Sequence, residues 1–201
     1  MAKADAAQSE LRIGHVGVPR THPDYFNIVV MNAVLGGLFS SRINLNLREE
    51  HGYTYGASSY FDWRRQAGPF VISTAVQSEV TAPAISETLK EIDRMRSAKI
   101  SNEELTLATS YLQGVFPIRY ETTSAIASAL ANLVTFGLAE DYYDTYRDNI
   151  ASVTEDSVLL AAKEYVVPEH LQITVVGNPD IIAEPIQAIL DQVTTREVVE
   201  D

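Results

Sequence analysis

No cysteine occurs among the 201 residues, which removes disulfides, thiol catalysis and thiolate metal sites from consideration. Cations are scarce as well: 15 Lys and Arg stand against 27 Asp and Glu, a formal net charge of −12. A nucleic-acid partner requires clustered cations for its phosphates, and this balance argues against one. Cationic peptides are compatible with it, and so is plain solubility. There are four histidines, His15, His22, His51 and His170, and no two lie three or four residues apart. Catalytic zinc is commonly held by two histidines on one helical turn plus a carboxylate. HExxH and HxxEH are both missing, as are the GxSxG elbow, the P-loop and GxGxxG. Residues 25–41 and 122–139 carry no charge, but Asn27, Asn32, Gly36 and Gly37 interrupt the first, and Thr, Ser and Ala dilute the second. No membrane span is expected from either. The first residues, MAKAD, lack an apolar signal core, and the compartment, cytoplasmic or periplasmic, stays open.

What is present is an apolar content of 46%, sufficient for a substantial core. Residues 11–18 read as a strand closed by Pro19. Asp24 is placed to cap an apolar helix through Leu35 that Gly36 and Gly37 terminate, and Ser40 or Ser41 to cap a second helix reaching Glu50. Residues 53–63 alternate bulky and small side chains, 64–68 turn, and 69–76 are rich in β-branched residues, which together predict a hairpin. A helix with Ile85, Leu89 and Ile92 on one side follows Thr81. Ser101 and Glu104 form a capping box for the next helix, with Leu105, Ala108 and Leu112 inward. A third helix carries Ile126, Leu130, Leu133 and Val134. Thr154 caps a further one, with Val153 and Val158 as a hydrophobic staple. A strand at 171–176 and a helix from about Pro179 close the chain. The order predicts an α+β domain, a mostly antiparallel sheet covered on one face by helices. The expected organisation is a flexible N-terminus (1–10), one domain (11–192) and an acidic C-terminal tail (193–201). The apolar helices are expected in the core.

Residues 32–59 read NAVLGGLFSSRINLNLREEHGYTYGASS. This resembles the second-domain signature of the pitrilysin/insulinase zinc peptidases, which include mitochondrial processing peptidases and bacterial relatives. The matching pieces are Leu35-Gly36-Gly37, Ser40-Ser41-Arg42-Ile43 and Leu47-Arg48-Glu49. Ile100 to Leu105, Ile150 to Thr154 with Ala161 and Ala162, and Val175-Val176-Gly177 continue the likeness over most of the chain. The resemblance implies a repeated α+β domain without metal ligands, working beside a domain or subunit that carries HxxEH and the zinc. The two halves close around an extended peptide. It further implies that an Arg and a Tyr seven residues apart reach the substrate, and Arg48 and Tyr55 have that spacing. Tyr53 is expected to add to the substrate surface. Arg48 would end a helix and Tyr55 would lie on the following strand, both on regular elements. Without the resemblance, Arg48 is explained by the helix dipole or a Glu partner, and Tyr53 and Tyr55 by core packing on one strand face.

Three functions compete. The first is the metal-free domain of a zinc endopeptidase, inactive alone and cofactor-free itself. The second is a structural or assembly subunit of the same fold, and the third an unrelated module that adds a peptide strand to a sheet edge. An apolar patch normally covered by the zinc-bearing half is expected to drive homodimers when that half is missing.

Overall fold

The computed structural model describes residues 2–198. Strand β1 (Gln8–Val16) alternates its side chains, with Ser9, Leu11, Ile13 and His15 buried on one face. The predicted hairpin follows as β2 (Ala57–Phe61) and β3 (Pro69–Gln77), whose inward rows are Ala57, Ser59 and Phe61, then Phe70, Ile72, Thr74 and Val76. Strand β4 (Gln172–Val176) pairs with the other side of β1. The pairings between these four strands are antiparallel, in the order β2-β3-β1-β4. A one-residue slip would turn each inward row outward, so the buried rows fix the register.

The helices are α1 (Tyr25–Asn32), α2 (Arg42–Asn44), α3 (Thr81–Ser97), α4 (Asn102–Arg119), α5 (Thr123–Phe136), α6 (Tyr142–Ala151), α7 (Glu155–Tyr165) and α8 (Pro179–Val198). Ile28 and Met31 of α1, Ile85, Ile92 and Met95 of α3, and Val158 and Ala162 of α7 join the sheet's inward row in one core. On the opposite face Gln8, Glu10, Arg12 and Val16 are exposed. Helices therefore cover one face of an antiparallel sheet, the predicted α+β arrangement. The expected caps form at two places. Ser101 accepts from the Glu104 amide while Glu104 returns the bond to the Ser101 amide. Thr154 does the same with Ser157, over buried Val153 and Val158.

Several boundaries and roles differ. Strand β1 starts at Gln8, inside the stretch expected to be a flexible N-terminus, and the Lys3 amide donates to Gly177 at 2.8 Å. Helix α8 continues to Val198 through most of the expected acidic tail, and residues 199–201 lie outside the described residues. Asp24 precedes α1, but its carboxylate takes the Tyr165 hydroxyl (2.6 Å) instead of a backbone amide, and Ser41 caps nothing with its hydroxyl. Helix α5 is not core, because Ala129 alone among its residues is buried. Residues 25–50 are apolar enough to span a membrane (mean hydropathy 1.4), yet Leu38 is extended between α1 and α2, and Ile28, Leu35, Ile43 and Leu47 are core.

Helix α6 was not anticipated, since its tyrosines do not form a simple apolar stripe. They close an aromatic cluster: Tyr146 stacks on Phe116 at 4.7 Å, and Phe26 on Tyr142 at 5.9 Å. The Arg20 guanidinium lies 3.6 Å above the Tyr25 ring and donates to the Tyr142 hydroxyl. Burial pushes the Tyr142 and Tyr146 hydroxyls up to about 12.

Candidate functional site

The segment carrying the family-like motifs contains two π-helical turns, Ala33–Gly37 and Leu45–Glu50. A π turn holds one residue more than an α turn, and such turns are rare and often mark functional sites. The second ends with the His51 amide bonded to Asn46 O (3.1 Å) and the Tyr53 amide to Leu47 O (2.8 Å). Gly52, at φ +66°, supplies the left-handed residue between them.

Buried amides and carboxylates anchor this segment. Asn44 donates to Phe39 O (2.6 Å) and accepts from the Ala57 amide (2.9 Å), tying the end of α2 to the loop before that helix and to the edge of β2. Asn46 donates to Glu91 Oε1 on α3 at 2.9 Å, and Arg94 donates to the same oxygen at 2.8 Å. Arg42 grips Glu104 of α4 with two bonds, 2.6 and 2.9 Å. That pairing holds the Glu104 carboxyl below its usual range, and a hydrogen bond from Lys90 does the same for Glu87 beneath the π turn. The sequence carried no signal for Asn44, Asn46 and Glu91, because a polar residue on an apolar helix reads as a solvated position until its partner is known.

On this base Arg48 sits in the last turn of the π segment. It pairs with Glu49 Oε1 at 2.6 Å, and its guanidinium lies 4.5 Å from the centre of the exposed Phe39 ring. The structure corrects the expected placement of the tyrosines: neither Tyr53 nor Tyr55 is on a strand, since β2 begins at Ala57. Nor are they equivalent. Tyr53 is half-buried and stacks on His51 at 4.9 Å. Tyr55 is 92% exposed, which removes the core-packing explanation for it. Its backbone neighbours are fixed. The Thr54 hydroxyl donates to Ala75 O on β3 (2.7 Å) and accepts from the Gly56 amide (3.1 Å), while the Thr74 hydroxyl donates to Gly56 O (3.1 Å). A loop position thus gains the rigidity expected of a regular element.

The edge of β2 is partly covered. Its outward Ala57 amide is taken by Asn44 and its Ser59 carbonyl by the Asn32 side-chain amide at 3.0 Å. Gly36 presses on the same edge: a Cβ there would lie 2.6 Å from the Ser59 nitrogen. Gly36 and Gly37 both keep negative φ, so close approach, and not a left-handed helix stop, explains the glycine at 36. Among the described residues no group of three or more His, Cys, Asp or Glu is arranged to hold a metal ion, so their chemistry does not fit a zinc site. His51 faces Glu87 at 3.8 Å with no second histidine beside it.

Comparison with known proteins agrees with this arrangement. Residues 1–112 match the model of the peptidase M16 inactive domain. An uncharacterized zinc protease of Streptomyces coelicolor is 25% identical over 170 residues, 85% of this chain and 37% of that protein. The uncharacterized zinc protease YmxG of Bacillus subtilis is 29% identical over 61% of this chain and 30% of its own. The chain thus spans about a third of the length of the curated relatives it matches. The crystal structure of a peptidase M16 inactive domain from Pseudomonas fluorescens shares the fold, with a TM-score of 0.82 over 88% of this chain and 42% of that one, at 22% identity. The motifs at 32–59, the antiparallel sheet under its helices and the matched model place this chain in the peptidase M16 inactive-domain family.

Proposed function

We propose that this chain is the metal-free half of a zinc endopeptidase and lays Arg48 and Tyr55 against an extended peptide. The peptide would be held between this chain and a domain or subunit bearing HxxEH and the zinc. Cleaving a peptide bond develops negative charge on the carbonyl oxygen, and donors already in place lower that barrier most. The Tyr55 hydroxyl donates to this oxygen. The Arg48 guanidinium donates charge-assisted bonds to neighbouring peptide carbonyls. Its present pair with Glu49 is partly exposed and of small worth, so substrate can replace it. Tyr53, stacked on His51, lines the adjoining surface.

One observation carries this reading: Tyr55 is 92% exposed although the residues on both sides of it are bonded to β3 or to each other. Holding an exposed tyrosine on a fixed backbone has no folding benefit. The test is reconstitution with a zinc-bearing family partner and a peptide assay. Tyr55→Phe should lower kcat by about 10²–10³-fold, the loss typical of one oxyanion donor, with unchanged circular dichroism. Arg48→Ala should act mainly on KM. The chain alone should bind no stoichiometric zinc and cleave nothing. Full activity in both variants would sink the proposal.

In the assembly-subunit reading Arg48 keeps its pair with Glu49. That reading predicts a stable complex with the zinc-bearing partner and cleavage indifferent to Tyr55→Phe. At the β2 edge the strand-addition reading meets competition, because Asn32 and Asn44 already bond the Ser59 carbonyl and the Ala57 amide.

A further inference from the structure

A glutamate is almost never enclosed unless a partner compensates for the lost water. Glu91 on α3 has only 3% of its side chain exposed, and its Oε2 accepts no hydrogen bond. Its Oε1 takes two donors, the Asn46 amide at 2.9 Å and Arg94 at 2.8 Å. Arg94 is a helical neighbour with 66% of its side chain exposed, so water serves it equally well. The contact that leaves α3 is the one to Asn46. Apolar side chains of similar volume often match or better a buried charged pair in stability. Packing alone therefore does not account for Glu91.

What the carboxylate holds is the start of the second π turn. Asn46 does two things there. Its side-chain amide reaches α3, bonding Glu91 Oε1 and, at 3.4 Å, Glu87 Oε2. Its carbonyl accepts the His51 amide five residues on, the wide bond that defines a π turn. Leu47, next in the chain, is fully buried and accepts the Tyr53 amide. Arg48 follows at once and leaves the core, so its origin is set by the two residues behind it. We propose that Glu91 is a positioning residue for Arg48: through Asn46 it fixes the register of the π turn and so aims the guanidinium over Phe39. Its effect on cleavage rests on the reading of Arg48 as a substrate contact, whereas its effect on geometry concerns this chain alone.

Two measurements test it. In the full chain by itself, the Arg48 Nε–H resonance, identified by its absence from Arg48→Ala, carries a ring-current shift from Phe39, whose centre lies 4.5 Å from the guanidinium. Glu91→Leu should move that resonance toward the position of a free arginine. Glu91→Gln keeps an acceptor in the same place and should leave it near the parent's. Asn46→Leu combined with Glu91→Leu removes both polar partners together, which folds tolerate well, and should move the resonance too. That pair keeps the test open if Glu91→Leu alone does not fold. In the enzyme reconstituted with a zinc-bearing family partner, Glu91→Leu should raise KM by about tenfold with little change in kcat, as a misplaced binding group does. Glu91→Gln should restore the parent's KM. In an Arg48→Ala background, Glu91→Leu should change KM no further, because both act through one side chain. An unmoved resonance in both leucine variants would overturn the proposal, and so would a KM effect that persists without Arg48. A moved resonance beside an Arg48→Ala variant with the parent's KM would uphold the positioning and overturn the substrate contact instead.

Discussion

A methyl group at position 36 would lie 2.6 Å from the Ser59 amide nitrogen, on backbone that β3 holds from the other side. Gly36→Ala should therefore destabilise the fold by about 1–3 kcal/mol, as forced overpacking does, and a shifted urea midpoint will show it. The inward-facing His15 makes a second residue-scale prediction. Its Nδ1 donates to Val16 O (2.9 Å) and its Nε2 accepts from the Val167 amide (3.1 Å), so both nitrogens are used in the neutral ring. Burial lowers its pKa below 6.5, and His170 nearby acts in the same direction. The unfolded chain then takes up the proton more readily, and stability present above pH 6.5 is lost as pH falls toward the folded value. Glu87 and Glu104 are depressed from 4.5, so their contribution is lost in a second, more acid step. Denaturation across pH 7 to 3 should show both steps, and His15→Gln should remove the first. At this scale the sequence was informative about spacing and silent about neighbours. Seven residues separate Arg48 and Tyr55 in any fold. Nothing in that interval reveals that Tyr53 is packed while Tyr55 is free, because Gly52 and Thr54 decide it through turns and long-range bonds.

Elements with strong local signals were legible: the capping box at Ser101, the cap at Thr154 and the β2–β3 hairpin lie where the pattern puts them. Elements shaped by tertiary contacts were not. Helix α5 has a core-like composition and an exposed position, and α6 is held by aromatic contacts that cross the fold. The π turns belong to this second class, since an extra residue in a helix leaves the apolar pattern nearly intact. An α-helix turns by about 100° per residue. Deleting one residue from Leu45–Glu50 should restore ordinary α geometry and swing Arg48 by about that angle away from Phe39. Such a deletion should preserve helical circular dichroism and lose the effect of Arg48 on KM. The anchor beneath is testable by Asn44→Ala, which leaves the Ala57 amide without its acceptor. A loss of about 1–3 kcal/mol is expected in chemical denaturation.

The molecule as a whole carries its charge of −12 on a body with one sheet face uncovered by helices. Self-repulsion of that size opposes compactness, so moderate sodium chloride should raise the thermal midpoint by screening, before any specific ion effect. A midpoint insensitive to salt would show that the carboxylates are balanced locally, as Glu104 is by Arg42. The sheet has a further consequence for how the chain acquires its shape. Strand β1 comes first and lies in the middle, but its second neighbour, β4, is not made until residues 172–176. Hairpin β2–β3 and its union with β1 can assemble early from contacts closer in sequence, whereas the β1–β4 ladder closes a very long loop. During synthesis β1 therefore waits with one side unpaired while five helices, α3 to α7, emerge from the ribosome. Bare strand edges invite wrong partners. A chain stopped before Gln172 should aggregate during expression, even though Arg48, Tyr55 and all their anchors are already present in it.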